Sequence, residues 1–186
     1  MTHVRSGIAL AIMLLAAPAA RAQFGRGGFG FSVAAGVSAP IGDLDKDAQT
    51  GFGIAVRTES GAGDSPWGFR GGLTFDRFGG KAAPGIDNLQ FITFPLDVVH
   101  NTNKQLYQFV GVGLYQAKTV YVADPQFAGT RNSTSAFTEN DFGFQGGVGY
   151  NFGKKGARTF VEFEVVDVLT SGRSSVWFPI RFGIRL

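Results

Sequence analysis

Cysteine is absent from this 186-residue chain, which removes disulfides, thiolate metal sites and thiol catalysis together. Also missing is any continuous apolar run of the ~20 residues that a spanning helix needs, so no transmembrane helix is expected. Histidine is scarce: besides His3 there is only His100, and no Ser, Asp or Glu follows it at a recognisable catalytic spacing. The chain is therefore not read as an enzyme. An excess of one charge is lacking too. The formal charge of +3 falls to +1 once Arg5 and Arg21 leave with the leader described below, fifteen basic residues then facing fourteen acidic ones. So small a balance carries no signal for nucleic acid. What abounds is glycine, at 28 residues, and phenylalanine, at 19, where average glycine usage is near 7%. Together they point to strands that alternate very small and very large side chains.

Residues 1–22 stand apart. Arg5 precedes an apolar run over 8–17, and the small-residue pattern Ala20-Arg21-Ala22 follows, the layout of a secretory signal peptide cleaved before Gln23. Residues 23–186 then form one domain by length. Gly25-Arg26-Gly27-Gly28-Phe29-Gly30 matches G-x-G-x-x-G, but a dinucleotide fingerprint must follow a buried strand and open a helix. This one follows the cleavage site and enters an alternating segment, so the match is accidental.

The stretch 176–186, VWFPIRFGIRL, organises the rest. Val176, Phe178, Ile180, Phe182, Ile184 and Leu186 occupy one set of alternate positions, and Trp177, Pro179, Arg181, Gly183 and Arg185 the other. That is a strand with one wholly apolar face, about as long as the ~9–11 residues of a tilted membrane-crossing strand. Similar alternations start near Phe29, Phe52, Phe69, Ile92, Val110, Phe142 and Val161, giving eight strands. An even count puts both termini on one side, with short turns there and longer loops opposite. The longest loop is expected over 118–140, and the tight turns over 101–104 and 153–157.

Side-chain volume decides which face looks outward. An eight-stranded barrel has an interior just wide enough for side chains to fill; the Phe, Ile, Leu and Val set would overcrowd it, whereas the Gly, Ala and Ser set fits. The expected fold is all-β, an eight-stranded antiparallel up-and-down transmembrane barrel whose first and last strands pair, since lipid offers no partner to an open edge. Tyr107, Tyr115, Tyr150, Phe152 and Trp177 fall near strand ends, where interfacial aromatic girdles belong. The alternative with the faces inverted is a soluble exported lipocalin-like barrel holding an apolar ligand.

The inward parity collects Arg57, Arg70, Arg181 and Arg185 with Asp76, Asp97, Glu162 and Glu164. A balanced polar interior reads as a plug. A turn centred near Gly172 or Arg173 places Glu164 near Arg181 and Glu162 near Arg185. Asp43, Asp45 and Asp47 alternate as in a calcium loop, yet position six is Ala48 and position twelve Ile54, which excludes an EF-hand. No metal or cofactor is expected. Asn132-Ser133-Thr134 is a glycosylation sequon by pattern only.

AAGVSAPIGDL (34–44), TGFGIAV (50–56), FVGVGLY (109–115) and the terminal alternating strand together resemble the small outer-membrane β-barrel domain family, similar to OmpA-type and OmpX-type eight-stranded barrels. The resemblance implies residence in the outer membrane of a Gram-negative-type bacterium and contact with outer-membrane lipid and lipopolysaccharide; a single eight-stranded barrel can close alone, so a monomer is expected. It further implies that Phe178, Ile180, Phe182, Ile184 and Leu186 form the C-terminal signal read by the barrel-assembly machinery, although the family's last strand normally ends in an aromatic residue. The expected role is structural or surface-interaction, with a small pore or passive transporter for ions or hydrophobic solutes as the alternative.

Overall fold

Every strand of this chain hydrogen-bonds to the next, and the last returns to the first. The computed structural model describes residues 29–61, 65–81, 86–121, 136–152, 158–170 and 173–186. The strands are β1 (Phe29–Ile41), β2 (Gly51–Gly61), β3 (Trp67–Gly79), β4 (Ile86–Asn101), β5 (Leu106–Tyr121), β6 (Ala136–Phe152), β7 (Arg158–Thr170) and β8 (Arg173–Arg185), with a short helix α1 (Leu44–Asp47) between β1 and β2. They close into one antiparallel barrel in sequence order. The closing seam runs from Ser32 opposite Arg185 to Ile41 opposite Val176, and the Leu186 amide extends it by donating to the Phe31 carbonyl at 2.8 Å. No helix among the described residues is long and apolar enough to cross a membrane.

Alternation fixes the two faces. In β8, Trp177 and Arg181 are buried while Phe182 is 64% exposed; in β5, Tyr107 and Phe109 are buried while Val110 and Leu114 are exposed. Apolar side chains therefore point out and charged ones in, the inverse of what an apolar-ligand barrel requires. The start of β1 and the end of β8 lie at one end of the barrel, called here the terminal end, with the strand ends that join β2 to β3, β4 to β5 and β6 to β7; the other strand ends, with α1, lie at the far mouth. Residues 1–22, the sequon at Asn132 and the turn 153–157 lie outside the described residues.

The loop expected over 118–140 is shorter than its polar composition implied. Lys118 pairs with Thr138, and Val120 with Ala136, so β5 and β6 extend well past their last apolar positions. Beyond the apolar belt a strand needs only its ladder partners, and polar side chains on it remain solvated. At the far mouth Gly42 adopts φ +62°, the left-handed backbone that glycine accepts without strain, and so turns β1 into α1. The helix then lies across the opening: Gln49 N–H donates to the Gly79 carbonyl at 2.7 Å, and Lys81 N–H to that of Asp47 at 2.9 Å.

Candidate functional site

The barrel interior is filled in three layers, and its middle layer is a belt of charge. Arg181 Nη2 donates to both Asp76 oxygens at 2.9 and 2.8 Å, and its Nη1 to Glu164. Arg57 bridges Glu162 and Glu164, the latter at 3.3 Å. Arg70 spans Asp97 at 2.8 Å and Glu162 at 2.5 Å. Neutral donors complete the set: Tyr107 Oη to Glu162 at 2.7 Å, Ser38 Oγ to Asp76 at 2.7 Å, and Gln145 Nε2 to Asp97 at 2.5 Å, with Tyr115 Oη donating to Gln145 at 2.5 Å. All eight strands contribute at least one member, so the belt ties the wall to itself across the lumen. The seven charged members are each no more than 5% exposed.

Seven of the eight charges anticipated inside meet here; Arg185 does not. It pairs with Glu59 at 2.9 Å and donates to Asn151 at 2.6 Å, nearer the terminal end. The expected contact between Glu162 and Arg185 is absent because the last hairpin turns more tightly than anticipated. Thr170 sits opposite Arg173, which puts Glu162 opposite Arg181; Glu164 reaches the same arginine diagonally. The belt thus holds four carboxylates against three guanidiniums, and tyrosine, serine and amide donors offset the remaining negative charge.

On the far-mouth side of the belt lies an aromatic cap. Trp177 meets Phe91 at 4.7 Å between ring centroids and stands edge-on to Phe78 at 5.8 Å and Tyr115 at 6.1 Å. Leu44 and Ala48, from α1 and the residue after it, seal this cluster. On the terminal side, Val99, Tyr107 and Phe109 form a floor, and Arg70 lies over the Phe109 ring at 3.9 Å. Tyr107, Tyr115 and Trp177 are thus interior residues and not members of an interfacial girdle; Tyr150 and Phe152 do face outward. Their parity was the available signal, because Trp177 alternates in phase with Arg181, and Phe78 with Asp76. Such large rings fit because glycines face them: a Cβ on Gly149 would overlap the Tyr107 ring.

Between cap and belt is a cavity of about 10 Å³ whose lining includes Thr93, Trp177 and Glu164, room for about one water molecule. Removing Leu44 from the cap by Leu44→Ala is expected to lower stability by about 2 kcal/mol, the low end for a buried leucine because the mouth can partly relax. The midpoint of guanidinium unfolding in detergent micelles measures it.

Asp43, Asp45 and Asp47 do not gather around a common point. Asp43 pairs with Lys46 at 2.6 Å and Asp45 with Lys81 at 3.2 Å, and no cluster of His, Cys, Asp or Glu among the described residues is arranged to hold a metal ion. Phe178, Phe182, Ile184 and Leu186 are exposed along the outer wall of β8, with Ile180 half-buried in the same row.

The sequence profile of the outer membrane protein beta-barrel domain matches residues 7–171. No curated protein matches the chain. Among solved structures, it is similar to the attachment invasion locus protein Ail of Yersinia pestis, solved in complex with the heparin analogue sucrose octasulfate, at 14% identity over 86% of this chain and 99% of that one, with a TM-score of 0.61. A major outer membrane protein from Thermus thermophilus aligns at 18% identity over 85% of this chain and 98% of the other, with a TM-score of 0.58. The N-terminal β-barrel domain of Pseudomonas aeruginosa OprF aligns at 10% identity over 87% and 100%, with a TM-score of 0.54.

Proposed function

We propose a structural and surface-interaction role for this chain, which belongs to the outer membrane protein beta-barrel domain family and resides in the outer membrane of a Gram-negative-type bacterium. The observation that carries the reading is the filled lumen: cap, belt and floor occupy the interior from mouth to mouth. A pore needs a continuous wet path, and a charged belt whose partners span every strand has no segment free to swing aside. The barrel is then a rigid mount that presents the connections 42–50, 80–85 and 122–135 to the cell exterior and catalyses no reaction.

The rest of the reading follows from the chain's layout. Residues 1–22 direct export and are removed, leaving 23–186 as the barrel domain. The outward apolar row Phe178, Ile180, Phe182, Ile184 and Leu186 is what the assembly machinery reads before the seam closes. The wall meets phospholipid in one leaflet and lipopolysaccharide in the other. A closed barrel has no free edge to share, so it works as a monomer.

Planar-bilayer recording of the purified barrel tests this reading. Under an applied voltage the expected trace stays at the level of the protein-free bilayer. Discrete, reproducible conductance steps would replace the structural reading with a channel.

A further inference from the structure

A trough runs along the outer wall near the terminal end, across β4, β5 and β6. Its volume is about 380 Å³, within the ~300–1,000 Å³ of ligand-sized pockets. The strand register explains it. Val98 lies opposite Val110, and Val110 opposite Gly146; one row nearer the terminal end, His100 lies opposite Gln108, and Gln108 opposite Val148. Trp67, Val98, Val110 and Val148 line the trough and Gly147 and Phe109 form its base; Gly146, outward-facing beside Val110, carries no side chain that could overhang it.

The mouth of the trough is polar. Trp67 and His100 lie with ring centroids 4.5 Å apart, tilted at 51°, and Gln108 Nε2 approaches His100 Nδ1 at 3.4 Å. The amphipathic Trp67 indole stands beside this imidazole. Lys104 is in the adjacent turn, exposed. An apolar channel that ends at donors and a cation matches a lipid with an anionic headgroup. This end bears the start of β1, the end of β8 and the short turn 102–105, which is the periplasmic side of an outer-membrane barrel.

We infer that this trough binds one anionic glycerophospholipid of the periplasmic leaflet, with an acyl chain along Val98, Val110 and Val148 and its phosphate at His100 and Lys104. The inference uses the barrel's place in the membrane and is independent of what the outer connections meet.

Native mass spectrometry of the mature barrel, released from nanodiscs of equal phosphatidylglycerol and phosphatidylethanolamine, tests it. The expected spectrum shows one retained lipid, predominantly phosphatidylglycerol. Gly146→Leu projects a side chain over the trough from beside Val110, and a Cβ there would lie 3.4 Å from the Phe109 carbonyl oxygen and 3.9 Å from Val110 Cγ2. Its retained lipid is expected to fall about tenfold or more while the boiling-dependent gel shift persists. Lys104→Gln, on an exposed turn, lowers phosphatidylglycerol retention about fivefold, the weight of one basic residue beside an anionic headgroup. Equal retention of both lipids by the unmodified barrel overturns the headgroup assignment, and undiminished retention in a folded Gly146→Leu overturns the trough. Should that variant fail to fold, Gly146→Ala carries the same comparison.

Discussion

Glu162→Ala is expected to destabilise the folded barrel by about 3–5 kcal/mol, the cost of leaving buried charge without its partner. Three donors converge on this carboxylate: Arg57, Arg70 at 2.5 Å and Tyr107 at 2.7 Å. Alanine strands two buried guanidiniums, and their other partners, Asp97 and Glu164, already serve further cations or amides. Stability gained by having ion pairs rather than apolar packing is a different and smaller quantity, since desolvation offsets most of the Coulomb attraction. Removal of one member is costly because the others cannot be rehydrated. Glu162→Gln keeps the side chain's shape and an acceptor oxygen, and falls between the two. The exposed Lys81–Asp45 pair sets the opposite limit: Lys81→Gln changes stability by less than about 1 kcal/mol. Urea unfolding from phospholipid vesicles, followed by tryptophan fluorescence, ranks the three variants; equal midpoints for Glu162→Ala and Lys81→Gln would mean the belt contributes nothing.

Gly36→Val is expected to abolish the closed barrel outright. Gly36 sits in the seam opposite Arg181, and a Cβ there would overlap the Ile180 carbonyl oxygen and lie 2.7 Å from the Arg181 Cα. These are backbone atoms of β8, fixed by their own ladder, so the clash has no flexible side chain to absorb it. An unclosed seam leaves rows of peptide groups facing hydrocarbon, each costing several kcal/mol. On a semi-native gel, unboiled Gly36→Val is expected to migrate with the unfolded band. Gly30→Ala is the control on the same strand and face, its nearest neighbour being the Glu59 carbonyl oxygen at 4.0 Å, and it retains the faster folded band. A normal folded band for Gly36→Val would show that the seam tolerates displacement of β8.

Alternation made the architecture legible, and hairpin turns hid part of the site. Parity assigns Arg57, Arg70, Asp76, Asp97, Glu162, Glu164 and Arg181 to one face without any knowledge of neighbours. It does not assign height. Trp177 and Tyr115 were on the inward parity all along, yet a ring near a strand end reads equally as a girdle or a plug until the third dimension is known. Register depends on a turn of one or two residues, and at 171–172 the tighter choice moved Glu162 from Arg185 to Arg181. Ser38 and Gln145 escaped notice, and the two tyrosines were read as girdle residues, because a neutral hydroxyl or amide gains meaning only from the charge beside it. The length of β5 and β6 was masked by composition: Lys118, Thr138 and Asn140 look like loop residues and are paired strand residues outside the apolar belt.

The seam also acts as a check on arithmetic. Seven of the eight pairings join strands adjacent in sequence, each set by its own hairpin, whereas β1 and β8 meet only after the other offsets have accumulated. A slip of one residue in any hairpin would turn faces inside out; a slip of two would preserve every face and go undetected locally. In a ring it cannot vanish, because the offsets must sum to one fixed stagger. The error would surface at the seam, where Gly36 would meet another part of β8 and Arg181 would miss Asp76. Closure therefore proofreads the whole circuit, accepting the one set of registers in which Gly36 of β1 and Arg181 of β8 arrive together.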